Sequence, residues 1–137
     1  MKWYDRIRNV GPEDAEAVGQ IEMRCFPPQE AAGMEAIQDR IRRFPECFLA
    51  AEKDGSLIGF INGCATSRRT IEDFMFEDTS CHEPAGAYQA IFGLDVLPEH
   101  QGHGVASALM KALIQQARNK GRKGLILTCK ERLIPFY

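Results

Sequence analysis

The chain predicts a single α/β domain, on three observations. Of its 137 residues 45% are hydrophobic, enough for one core and too short a chain for two. Helix-period and strand-period segments follow one another in the order β-α-α-β-β-β-α-β-α. Between Gln89 and Thr128 an apolar strand, a tight turn, an amphipathic helix and a second apolar strand form a crossover unit.

Lys2 to Val10 mixes Trp3, Tyr4, Ile7 and Val10 with charges and stops at Gly11-Pro12, which reads as a first strand leading into a helix start. From Glu13 the apolar positions Ala15, Val18, Ile21 and Met23/Cys25 recur at helical spacing, up to the break at Phe26-Pro27-Pro28. Gln29 to Phe44 predicts a second helix, with Arg40, Arg42 and Arg43 near its C-terminal end, where cations suit the helix dipole. The apolar runs 47–51 and 57–64, separated by Glu52-Lys53-Asp54-Gly55-Ser56, predict an antiparallel hairpin. Ser67 to Gly86 is polar and acidic and reads as a flexible loop, with a short helix around Ile71 to Phe76. Ala87 to Val96 is one apolar strand that Leu97-Pro98 stops. Val105, Leu109, Leu113 and Ala117 mark a helix running to Lys120, with Gly121 as its cap. Gly124 to Cys129 is a buried strand, and Arg132 to Tyr137 starts one more helix or turn.

The 17 basic and 19 acidic side chains leave a net charge of −2, which argues against a nonspecific grip on nucleic acid. The balance is uneven: residues 1–100 hold ten Lys/Arg against eighteen Asp/Glu, and residues 101–137 hold seven against one. The last third therefore attracts anions. No stretch approaches the roughly 20 apolar residues of a membrane helix, and the start lacks a signal-peptide core, so a cytoplasmic protein without membrane partners is expected. The five cysteines are widely spaced with no CxxC pair, which reads as reduced thiols and neither a disulfide framework nor a metal site.

The chemistry-bearing stretch is Leu94 to Ala106, LDVLPEHQGHGVA. Its two glycines allow a tight turn and close backbone approach, and the helix behind them offers unpaired N–H groups and the positive end of its dipole, together an anion cradle. Neither the Walker pattern nor the dinucleotide GxGxxG fits. Val96-x-Pro98 followed by Gln101-x-x-Gly104-x-Ala106 and an amphipathic helix resembles the acetyl-CoA signature of the GCN5-related N-acetyltransferase (GNAT) superfamily. Pro135-Phe136-Tyr137 resembles the Pro-Phe-Tyr that often follows the fifth strand of that fold. With CFPP at 25–28, FPECF at 44–48 and LTCKERLIPFY at 127–137, the chain looks nearest to the arylalkylamine (serotonin) N-acetyltransferase-like branch.

The resemblance implies a mixed central sheet with helices on both faces, with the C-terminal strands missing, in one acetyltransferase domain over residues 1–137. It implies an acetyl-CoA-dependent N-acetyltransferase acting on the primary amine of a small molecule by direct attack in a ternary complex, without a metal. Backbone N–H groups of Gln101, Gly102, His103, Gly104, Val105 and Ala106 would hold the CoA pyrophosphate, and Leu94, Asp95 and Val96 would bond to the pantetheine arm as an added strand. Lys111, Lys120 or Lys123 could meet the ribose phosphate. Tyr137 matches the family tyrosine that protonates the departing thiolate; a phenol near pKa 10 stays protonated where a thiol of about 8.5 takes up charge. A backbone N–H at the fourth strand, Leu94, would hold the oxyanion.

The family's two strand histidines fall on Ala90 and Phe92, which take no proton. Asp95 is a candidate base, with capping of a backbone turn as the plainer role. His82 lies in the acidic loop, and His100 and His103 flank the phosphate turn. Cys64 and Cys129 sit in apolar runs with no activating group beside them, so an acyl-cysteine route is not expected. Phe26, Pro27 and Pro28 and the loop 67–86 would line the acceptor pocket; Phe26, Phe74 and Phe76 suit an aromatic or alkyl amine, and Glu72, Asp73, Glu77 and Asp78 a polyamine. Rival readings are a CoA-binding module without turnover and an acetyltransferase for protein N-termini or lysines. The chain stops where the family fold continues, so its open sheet edge is expected to be completed by more chain or by a partner, a homodimer among the options.

Overall fold

The computed structural model describes residues 2–72, 74–127 and 132–135, with residue 77 and residues 132–135 described by their main chain alone. Strands β1 (Arg6–Asn9), β2 (Phe48–Lys53) and β3 (Ser56–Asn62) form an antiparallel ladder in the order β1-β2-β3. The β2–β3 turn places Asp54 and Gly55 at φ 53° and 81°, the two left-handed positions of a primed hairpin turn that matches strand twist. Next come β4 (Ala65–Thr66), α3 (Phe74–Glu77), β5 (Tyr88–Ile91), β6 (Gly93–Val96), α4 (Val105–Asn119), β7 (Gly124–Leu127) and β8 (Arg132–Pro135); α1 (Ala15–Cys25) and α2 (Met34–Arg43) lie between β1 and β2.

The expected single strand 87–96 is divided. Its first half, β5, pairs parallel with β7 and antiparallel with β4, whereas its second half, β6, pairs antiparallel with β3, so the strands form two sheets, β1-β2-β3-β6 and β4-β5-β7-β8. Phe92, between the halves, belongs to neither strand; its N–H donates to the Asn62 carbonyl at 2.8 Å, and that of Ala90 to the Cys64 carbonyl. The chain at Gly63 crosses so close to β5 that a Cβ there would stand 1.7 Å from the Ala90 carbonyl oxygen.

Helices cover both faces of the first sheet. Phe48, Ala50 and Phe60 pack with Val18 and Ile21 of α1 and Ile37 and Ile41 of α2. On the opposite face Leu49, Ala51, Ile61 and Val96 meet Val105, Leu109 and Leu113 of α4, whose stripe repeats every four residues. Each fully buried Leu of that stripe contributes roughly 1.5–3 kcal/mol.

Three expectations change. The second helix begins at Met34, because the N–H groups of Glu30 and Ala31 close a turn on the Pro27 carbonyl ahead of it. The segment 67–86 is packed: Ile71, Met75 and Thr79 are buried, and the Glu83 carboxylate accepts from Ser67 N–H at 2.7 Å and from the Thr66 hydroxyl. Arg132–Pro135 is a strand rather than a helix or turn, hydrogen-bonded antiparallel to β7 with Leu125 opposite Ile134. Among the described residues no helix is long and apolar enough to cross a membrane.

Candidate active site

Among the described residues strand β6 is bonded on one edge only, to β3, and a cavity opens at each of its ends. Four residues at ~3.3 Å each set those ends roughly 10 Å apart. The Val96 carbonyl is turned away from β3, since it accepts from Gln101 Nε2 at 2.9 Å and from the Cys25 thiol at 3.4 Å. Main-chain groups alternate along a strand, so Leu94 also presents its N–H and C=O to the open edge.

At the Val96 end a cavity of about 240 Å³ is lined by His100, Gln101, Gly102, Gly104, Val105 and Ala106 among others. Gly102 and Gly104 take φ of 80° and 83°, a conformation that an L side chain adopts only with strain, and nothing lies within 4 Å of where a Cβ would project. The first turn of α4, 15 residues long, opens directly onto this space with its N–H groups. Trp3 braces the loop: its indole stacks on His103 with ring centroids 3.6 Å apart and planes 5° from parallel, and its Nε1 donates to His100 Nδ1 at 2.9 Å. Lys53 holds Trp3 in turn, its ammonium 4.7 Å from the indole centroid and 2.8 Å from the Trp3 carbonyl. Lys120 and Lys123 lie beyond the other end of α4, about 22 Å away at ~1.5 Å per residue, too far to meet a phosphate at this loop.

At the Gly93 end the cavity is about 520 Å³, and its wall includes Glu22, Phe26, Arg40, Asn62, Phe92 and Gly93. Pro27 and Pro28 are exposed and shape the turn beside it, and Phe76 of α3 contributes from the 67–86 segment. Asp95 does not cap a turn. Its side chain is 1% exposed, neither oxygen receives an N–H or O–H among the described residues, and the group facing it is the Glu22 carboxyl. Burial, and then Glu22, push the Asp95 carboxyl up to about 9, so at neutral pH the pair holds a proton between them. Glu22 Oε2 also accepts from Ala32 N–H at 2.8 Å. Arg40 donates to Asn62 Oδ1 at 3.2 Å and to the Phe76 carbonyl at 3.1 Å, and its guanidinium lies 5.1 Å from the Phe92 ring centroid. Ala90 is fully buried in β5, whereas Phe92 faces this cavity. Sequence reasoning passed over Glu22, Arg40 and Trp3.

The remaining reactive groups are structural. Cys64 is fully buried, with its thiol pushed well above the ordinary range by burial and its Sγ 3.8 Å from that of Cys81. His82 Nδ1 accepts the Ala65 N–H at 3.1 Å, so the neutral ring carries its proton on Nε2, 2.8 Å from Glu46. Glu46, Cys47 and His82 gather at metal-ligand spacing, but that proton and the Cys47 thiol, raised by burial to about 11, oppose ligation. Tyr137 and Cys129 lie outside the described residues.

Comparison with known proteins gives the same fold. The curated "Probable hydrolase YhcX" of Bacillus subtilis is 25% identical over 130 residues, covering 88% of this chain and 25% of that protein, so the chain spans a quarter of its relative's length. Among solved structures, a GphF GNAT-like decarboxylase in complex with isobutyryl-CoA superposes with a TM-score of 0.82 at 23% identity, over 90% of this chain and 65% of that one. Ard1 from Thermoplasma volcanium superposes with a TM-score of 0.68 at 27% identity, over 89% and 69%. The model of the acetyltransferase (GNAT) family matches residues 15–137, and to that family the chain belongs.

Proposed function

We propose that the chain transfers an acetyl group from acetyl-CoA to the primary amine of a small molecule, in one ternary complex. The observation that carries this reading is the open edge of β6, which joins a glycine-shaped helix N-terminus at one end to a cavity walled in part by Glu22, Arg40 and Asn62 at the other. The pyrophosphate sits on the N–H groups of residues 102–106, beyond Gln101, whose own N–H donates to the Pro98 carbonyl at 3.3 Å, and at Gly102 and Gly104 the backbone approaches without side chains. The pantetheine arm extends β6 as an added strand, bonding to Leu94 and Val96, and delivers the thioester to the Gly93 end. The resemblance to the arylalkylamine branch supports an acceptor with an apolar body, for which Phe26, Phe76 and Phe92 supply the wall.

The amine arrives as an ammonium and gives one proton to the ionised member of the Glu22–Asp95 pair. Its nitrogen then attacks the thioester carbon, with the oxyanion held by Leu94 N–H, and the C–S bond breaks. The second nitrogen proton replaces the one that Tyr137 donates to the CoA thiolate, and the first leaves to solvent. Two measurements test this reading. Titration with CoA should release heat at a single site, and its absence rejects the reading outright. Tyr137→Phe should lower kcat for thiol release about 100-fold or more with KM for acetyl-CoA unchanged; equal rates remove Tyr137 as the acid. Heat with CoA but no thiol release with any amine selects the binding module instead.

A further inference from the structure

We infer that the cavity at the Gly93 end of β6 takes an acceptor bearing a carboxylate as well as its amine, the carboxylate against Arg40 and the ammonium against Glu22. The inference rests on the proposed acyl transfer and names the class of amine for it.

The wall of the cavity carries a buried cation, Arg40, and a buried carboxyl, Glu22. Arg40 is 7% exposed, and after its bonds to Asn62 and Phe76 its buried Nε–H has no partner among the described residues. No described carboxylate lies within ion-pairing distance of it; Glu22 and Asp95 act on it only from farther off, and the face of the Phe92 ring lies against it. Such a group is costly unless an oxyanion completes it. The opposite demand comes from Glu22, 9% exposed in the wall, with the buried Asp95 carboxyl behind it sharing a proton with it. With that proton the pair carries one negative charge.

The electrostatic sum then selects the ligand. Arg40 and the carboxyl pair together are neutral, and a zwitterion leaves them so while satisfying both. An amine without a carboxylate adds an uncompensated positive charge to a site already holding a buried guanidinium. A carboxylate without an amine leaves the acidic pair unanswered. Glu30 at the rim is exposed and therefore screened. With Phe26, Phe76 and Phe92 around the rest of a 520 Å³ space, the fit is to a compact amino acid with an aromatic or alkyl side chain.

Matched acceptors test this in the thiol-release assay with acetyl-CoA and the full chain: L-phenylalanine against phenethylamine, which differ only in the carboxylate. The expected kcat/KM ratio favours the amino acid by at least about tenfold, as a charge-assisted bond to a buried cation requires. Arg40→Met should erase the ratio by raising KM for phenylalanine more than for phenethylamine, and Arg40→Lys, a folded alternative should the first variant not fold, should reduce it. Equal or inverted rates in the wild type, or an Arg40→Met loss that is equal for both acceptors, overturns the inference while acyl transfer stands. Loss of carbon dioxide from malonyl-CoA without any amine, abolished by Arg40→Met, also overturns it by assigning the carboxylate to the acyl group. Absence of thiol release with every amine rejects the transfer reading itself.

Discussion

Gly63→Ala should cost the domain about 3 kcal/mol or more and lower its melting temperature by roughly 10 °C. The reason is local. A methyl group at Gly63 would be built 1.7 Å from the Ala90 carbonyl oxygen and 2.6 Å from its carbon, both backbone atoms that no rotamer change can clear. Relief requires the end of β3 to move off β5, at the point where the two sheets are joined. Against a total stability of about 5–15 kcal/mol for such a domain, that is a large fraction. Gly33→Ala is the control, since it stands at φ −76° with no atom within 4 Å of a new Cβ. Differential scanning calorimetry of both variants decides the matter: a Gly63→Ala protein melting within a degree or two of the wild type would mean that the crossing is not this tight.

The second large effect is a stability that falls as the solution becomes alkaline. Asp95 has a carboxyl raised in the folded chain to about 9 from 3.8, mainly by burial and next by Glu22. The folded state therefore binds a proton that the unfolded state has released. This contribution is fully present below about pH 4 and is lost as pH rises through about 9, at up to about 1.4 kcal/mol per pH unit. His82 acts in the opposite sense: burial lowers its pKa below 6.5, so its contribution is lost as pH falls below that value. Urea unfolding from pH 5 to 9 should thus show greatest stability on the mildly acid side of neutrality and a decline above it. Asp95→Asn keeps the shape without the titration and should flatten the alkaline limb, with a variant more stable than the wild type at pH 8. Parallel curves for the two proteins would remove Asp95 as the source.

The hairpin, α1, α4 and the glycine turn could be read from the chain because each has a local signature. Asp54-Gly55 between apolar runs, the four-residue spacing from Val105 to Ala117, and Gly102 and Gly104 before a helix need no tertiary information. The division at Phe92 did not show, because AIFGLDV is apolar on both sides of it apart from Asp95, and the partner that captures β6 lies some 30 residues earlier. Glu22 and Arg40 were passed over for a different reason: on charge alone they belong on a solvated face. Periodicity held the clue, since Glu22 falls one helical turn after Val18, and Arg40 sits three residues after Ile37, both on the buried stripes. Asp95 in an apolar strand gave the same signal. The bracing of the turn ahead of α4 was beyond reach, because Trp3 and His100 are 97 positions apart.

That brace gives the molecule a native optical gauge. Trp3 is the sole indole in the chain, and it rests face to face on an imidazole flanked by Gly102 and Gly104. Its emission is sensitive to the neighbouring ring, so seating of CoA at Gly102 and Gly104 should register as a saturable change in fluorescence without any attached dye. Occupancy of the proposed nucleotide end could then be followed in the stopped-flow spectrometer separately from events in the proposed amine cavity, letting the order in which the two proposed substrates enter be read directly from the protein.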